Sequence, residues 1–199
     1  AGNVAAAPAT YTQAVDTVAP TVAITDDATT FANGDVTFTF TFSEDVTGFD
    51  TSKITAAGGT KGTFTATSAT VYTLVVTPAA NSTDSISLTT DTTGVTDGAG
   101  NVAAAPATYT QAVDTVSPTV AIATDDAALN TGDTAGITFT FSEVPTGFVA
   151  GDVTVTGGTL SGFAVDGSDA KIYTATFTPA AGSTVTPSIT IAAGAYTDA

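Results

Sequence analysis

The plainest pattern along the chain is alternation. Val36, Phe38, Phe40 and Phe42 are separated by Thr37, Thr39 and Thr41, so successive side chains are apolar and polar in turn. A period of two puts one set on a buried face and the other in water, which predicts a half-buried β-strand. Ile137, Phe139 and Phe141 repeat the pattern further on. Short runs rich in β-branched residues predict more strands over 21–25, 54–57, 63–67, 71–77, 85–89 and 107–113. Turn chemistry separates them, at Asn33-Gly34, Gly58-Gly59 and around Gly94. Short strands at this spacing predict an all-β fold, a seven-stranded antiparallel sandwich. A helical reading is poor, because Thr, Val, Gly and Pro dominate and no 3.6-residue stripe runs through them. The run Ala103-Ala104-Ala105 is cut short by Pro106.

The chain also repeats itself. Residues 1–24 read AGNVAAAPATYTQAVDTVAPTVAI and residues 99–122 read the same except that Ser117 replaces Ala19. Weaker similarity follows. Phe40 to Glu44 returns as Phe139 to Glu143, Thr47-Gly48-Phe49 as Thr146-Gly147-Phe148, and Thr96-Asp97 as Thr197-Asp198. The chain is therefore two copies of one unit, so two tandem sandwiches are expected. Residues 16–113 form the first domain and 114–199 a second that lacks its final strand. Residues 1–15 read as the orphan final strand of a preceding repeat. An unpaired last strand leaves an open sheet edge. Residues 4–15 are accordingly expected to add to the second domain of another copy, giving head-to-tail self-association.

Composition narrows the chemistry. Three basic residues stand against 19 acidic ones, for a net charge of −16, and His, Cys, Met and Trp are absent. Nucleophilic catalysis through His or Cys, imidazole or thiolate metal sites, disulfides and haem ligation fall away together. Three scattered lysines form no phosphate-binding cluster, which argues against nucleic acid and against anionic membrane surfaces. No apolar run is long enough to span a bilayer. Gly98-Ala99-Gly100 opens no helix after a strand and so is no phosphate loop. Paired acids could serve a glycosidase, but few aromatics are present to line a sugar cleft. Lys53 and Lys61 have no counterparts in the second copy and read as surface lysines rather than as cross-link sites. The Thr-x-Thr runs need no ice-binding explanation, because alternating strands with a wet face produce them. No enzyme is expected.

Three motifs carry a resemblance: Asp-Thr-Val-Ala-Pro-Thr-Val at 16–22, Phe-Ser-Glu at 42–44 with Thr-Gly-Phe following, and Thr-Asp-Gly-Ala-Gly-Asn at 96–101. The chain resembles the bacterial immunoglobulin-like tandem repeats of giant surface adhesins of the RTX and biofilm-associated type. The resemblance covers nearly the whole chain, twice. It implies Ig-like β-sandwiches in an extracellular stalk at the bacterial cell surface, supporting adhesion and biofilm formation, often stiffened by Ca²⁺ at domain junctions. The glycine-rich nonapeptides of calcium rolls are missing, so only the stalk carries over.

The acids are the candidate ligands. Matching the copies pairs Asp16 with Asp114, Asp26 and Asp27 with Asp125 and Asp126, Glu44 with Glu143, and Asp97 with Asp198. In a seven-stranded sandwich Asp16, Glu44, Asp97 and Asn101 share one end. Asp26 and Asp27 lie at the other end, which abuts the next domain. The junction is therefore expected to gather Asp26, Asp27, Asp114, Glu143 and Asp198. Carboxylates brought within a few ångströms repel unless protonated, dispersed or bridged, and an all-oxygen ligand set selects Ca²⁺. The bland alternative is that these are solvated turn and capping acids. Two functions follow: a non-catalytic structural extender whose junctions hold Ca²⁺, with neighbouring repeats as its partners, or a self-assembling extracellular filament or surface-layer subunit joined by donor-strand complementation.

Overall fold

In the computed structural model the described residues are 2, 7, 9–126 and 128–198, and they form two compact units that divide between Val116 and Ser117. Each unit is all-β, with antiparallel sheets.

The first unit contains β1 (Val22–Asp26), β2 (Val36–Phe42), β3 (Ile54–Ala57), β4 (Gly59–Ala66), β5 (Val71–Pro78), β6 (Ile86–Thr90) and β7 (Thr108–Gln111). One sheet runs β1-β2-β5-β4 and the other β3-β6-β7. The expected alternation holds along β2, where Val36, Phe38, Phe40 and Phe42 are all buried. Its neighbour β5 buries Tyr72, Leu74 and Val76 on the same face. Ile54, Ile86, Leu88 and Val113 complete that core from the rest of the unit. Each such side chain contributes about 1.5–3 kcal/mol on leaving water.

Phe49 of the Thr-Gly-Phe motif is the hub of an aromatic cluster. Its ring centroid lies 5.0 Å from that of Phe42, 5.1 Å from Tyr72 and 5.4 Å from Phe40. Most of these contacts are tilted or edge-on, the geometry ring quadrupoles prefer.

The second unit contains β8 (Val120–Thr124), β9 (Ala135–Phe141), β10 (Val153–Thr156), β11 (Gly158–Val165), β12 (Ile172–Pro179) and β13 (Ser188–Ile191). Its sheets run β11-β12-β9-β8 and β10-β13. Phe148 repeats the hub, 4.8 Å from Phe141 and 5.2 Å from Tyr173. Among the described residues this unit has no counterpart of β7.

Two expectations shift. The strand expected over 63–67 begins earlier, at Gly59, and carries a register shift between Lys61 and Phe64. Gly59 belongs to the strand because a Cβ there would lie 2.7 Å from the Thr77 carbonyl oxygen. The strand expected over 107–113 is regular only over Thr108–Gln111, and Val113 instead makes an isolated parallel bridge to Ala32. Of the expected orphan strand, residues 4–6 and 8 lie outside the described residues, and residues 9–15 join no sheet.

Candidate metal centre

Three segments meet at one end of the first unit: the lead-in to β1, the β2–β3 loop and the β6–β7 loop. The lead-in is tied to the second segment by Ser43, whose hydroxyl accepts from the Thr21 amide at 3.0 Å and whose own amide donates to the Thr21 carbonyl at 2.9 Å. The second and third segments are joined at Thr47 and Thr96, whose amides donate to each other's carbonyls at 2.8 and 3.1 Å. Gly48 follows with φ of 82°, and a Cβ there would lie 2.4 Å from the Gly94 carbonyl oxygen. The Thr-Gly-Phe motif thus closes the loops with its first two residues and fills the core with its third.

This closure brings Asp16, Glu44 and Asp97 together. Each offers a carboxylate oxygen within 4.8 Å of those of the other two. Asp16 is exposed, Glu44 half-buried and Asp97 buried.

Asp97 is also the centre of a turn. Its Oδ1 accepts from the amides of Ala99 at 2.9 Å and Asn101 at 2.8 Å, and its Oδ2 accepts from Asn101 Nδ2 at 2.8 Å. These bonds, the Asn101 side chain first, hold the Asp97 carboxyl below its ordinary range despite burial. Asn101 Nδ2 additionally donates to the Asp16 carbonyl at 3.2 Å, so one side chain links two of the three segments. Glu44 is in the opposite condition. Burial, with the neighbouring charges of Asp16 and Asp97, pushes its carboxyl up. The group pays for confinement beside like charge, and a cation would relieve that repulsion.

The remaining expected ligands are placed otherwise. Asp26 and Asp27 lie at the opposite end of the first unit, beyond β1, and are outside the three-acid group. Asp27 Oδ1 accepts from the Thr37 amide at 2.9 Å, and Asp26 Oδ1 from the Ala28 amide at 3.1 Å. Asp26 Oδ2 is buried without a hydrogen-bond partner. Burial and the charge of Asp26 push the Tyr109 hydroxyl up. In the second unit Asp125 Oδ1 accepts from the Gly136 amide at 2.7 Å, and Asp126 Oδ1 from the Ala128 amide at 3.0 Å.

Strand register corrects the pairing of these acids. Asp26 stands opposite Phe38 in the first copy, and Thr124 opposite Ile137 in the second. Asp125 is thus the counterpart of Asp27 alone, and Asp26 has no acidic equivalent in register. The missed signal is local: Gly136, where a Cβ would lie 2.7 Å from Asp125 Oδ2, marks the residue that Asp125 caps.

Glu143 and Asp198 lie on the matching loops of the second unit. Ser142 there exchanges bonds with Thr119 at 2.9 Å each way, and the amides of Thr146 and Thr197 donate to each other's carbonyls at 2.7 and 3.1 Å. Asp114, the repeat's counterpart of Asp16, lies in the first unit. Its amide donates to the Ala32 carbonyl at 2.9 Å, and its Oδ1 accepts from Val116, as that of Asp16 does from Val18.

The model of a family described as the bacterial Ig-like domain matches residues 16–113 and again residues 114–199. The chain belongs to the bacterial Ig-like domain family. A search of curated proteins finds no match. The two bacterial Ig-like domains are tandem β-sandwiches, of a kind usually extracellular or surface-associated and typically non-catalytic. No helix among the described residues is long and apolar enough to cross a membrane.

Proposed function

We propose that these bacterial Ig-like domains are stalk repeats of a secreted surface adhesin of the RTX or biofilm-associated type. They extend a distal binding module from the cell and carry load without catalysis. Ca²⁺ held at the domain ends stiffens the array. The observation that carries this reading is the convergence of Asp16, Glu44 and Asp97, each with a carboxylate oxygen within 4.8 Å of the others'.

The donor set fits the ion. It is all oxygen and rich in negative charge, as Ca²⁺ prefers. Asp97 is preorganised by Asn101, Ala99 and the Thr47–Thr96 closure, so little side-chain entropy is left to lose on binding. Asp16, Glu44 and Asp97 would hold the ion. Asp114, Glu143 and Asp198, their counterparts in the repeat, would hold the next one at the following junction. The ion would supply charge neutralisation between segments that have little apolar surface to fix an angle, since Val15 and Val18 are exposed at 77% and 68%.

Small-angle scattering of the chain in Ca²⁺ and in EGTA tests the proposal. Chelation is expected to broaden the distribution of interatomic distances and raise the signature of flexibility. Superimposable profiles would overturn the stiffening. A filament or surface-layer subunit is the second reading, favoured by an open groove on the second unit.

A further inference from the structure

We propose that this groove is an acceptor site for a β-strand, and that its occupant is residues 10–13 of a second copy of the chain. The inference is independent of Ca²⁺ and rests on comparing the two units residue by residue.

In the first unit β7 lies along β6 in antiparallel register, with Ile86 opposite Gln111, Leu88 opposite Tyr109 and Thr89 opposite Thr108. This strand seals the core. Ile86 and Leu88 are 0% exposed and Ile24 is 8% exposed. Gln111 locks it by donating Nε2 to the carbonyls of Thr30 and Ala112, both at 3.0 Å.

The second unit has the same wall without the cover. β13, the counterpart of β6, pairs only with β10 among the described residues. Ile122, the counterpart of Ile24, is 39% exposed, and Val185 is 65% exposed. A cavity of about 540 Å³ opens there, lined by Ile122, Leu129, Ile137, Phe177, Val185 and Ile189 among others. An open edge beside an exposed apolar core is a template for strand addition.

The occupant is specified by sequence. Residues 9–15 are identical to residues 107–113, which contain β7. In the structure this first occurrence is unpaired with any sheet, and Tyr11 is 83% exposed. The chain thus carries a strand whose sequence already covers this surface once, together with a matching surface that lacks it.

Transferring the β6–β7 register across the repeat places Thr10 opposite Thr190, Tyr11 opposite Ile189, Thr12 opposite Ser188 and Gln13 opposite Pro187. Thr90 donates its amide to the Ala107 carbonyl, so the hydrogen-bonded pairs of β6 with β7 are those two and four residues along, at Leu88 and Ile86. Pro187 stands where Ile86 does and has no N–H, so the new ladder has one bond fewer and begins at Ser188. Each copy has one donor and one acceptor, so association is heterologous and builds chains or closed rings rather than only symmetric pairs.

Cysteine pairing provides the test, because the chain has no cysteine of its own. Thr12 and Ser188 would face each other in a non-hydrogen-bonded pair, where Cα atoms are about 4.5 Å apart and a disulfide can form. Both correspond to exposed positions of the first unit, Thr110 and Ser87, so the substitutions leave the core intact. The full chain carrying Thr12→Cys and Ser188→Cys is expected to give a ladder of covalent oligomers under mild oxidation. The out-of-register pair Thr10→Cys and Ser188→Cys is expected to give at least tenfold less. Sedimentation of the cysteine-free chain should show mass rising with concentration, and Tyr11→Asp with Val15→Asp should abolish the rise. A mass independent of concentration with no intermolecular cross-link, or a cross-link confined within one chain, would overturn the proposal.

Discussion

Thr47 and Thr96 pair their backbones in both directions, with amide-to-carbonyl distances of 2.8 and 3.1 Å, although they lie on different loops of the first unit. That bridge sets the distance between Glu44, three residues before Thr47, and Asp97, one residue after Thr96. Thr146 and Thr197 make the same bridge in the second unit. The acids at this end are held by the main chain, and their mutual repulsion is built into the folded state.

The bridge depends on Gly48. Replacing it with alanine would force a side chain into a positive φ and against the Gly94 carbonyl, 2.4 Å from the new Cβ. The expected cost is about 1–3 kcal/mol, a fall of several degrees in the melting temperature of the first unit. Gly34→Ala is the matched control, since a Cβ there meets nothing within 4 Å. Calorimetry on both variants checks this. Equal effects would mean that the loop closure contributes little.

Much of the fold was legible because alternation is a direct consequence of the pleat. Val36 to Phe42 fall as expected on one buried face, since Val and Phe can only be sheltered together at a period of two. The start of β4 was not legible, because Gly59 and Gly62 read as turn formers and the reason for a glycine there is the nearby Thr77 carbonyl. At the site, topology alone brought Asp16, Glu44 and Asp97 to one end. Sequence could not distinguish ligation from capping: Asp26, Asp27, Asp125 and Asp126 each accept a backbone amide within their own loops. A carboxylate that caps and one that awaits an ion have the same letter.

Capping acids predict a pH dependence. Hydrogen bonds from Ser52 hold the Asp50 carboxyl below its ordinary 3.8, and those from Ser168 and Asp169 do the same for Asp166. As pH falls below 3.8, the unfolded chain takes up these protons before the folded one does. The stabilisation is therefore present above that value and lost as pH falls through the lowered folded values. The variant with Asp50→Asn and Asp166→Asn should melt below the parent chain at pH 7, with the gap narrowing by pH 2.5. Self-repulsion from the net charge of −16 changes in both proteins and largely cancels in the difference. A gap that stays constant across this range would contradict the role given to these caps.

Calcium titration is the most direct measurement, by isothermal calorimetry and by melting, on the parent chain and on a variant with Glu44→Gln and Glu143→Gln. The parent is expected to release or absorb heat on binding and to melt higher in Ca²⁺ than in EGTA, by about 2.7 kcal/mol at a hundredfold excess over Kd. The variant should bind far more weakly, yet melt higher than the parent in EGTA, because its neutral amide removes the repulsion that raises the Glu44 carboxyl. No heat of binding, with identical melting in Ca²⁺ and EGTA, would contradict the account.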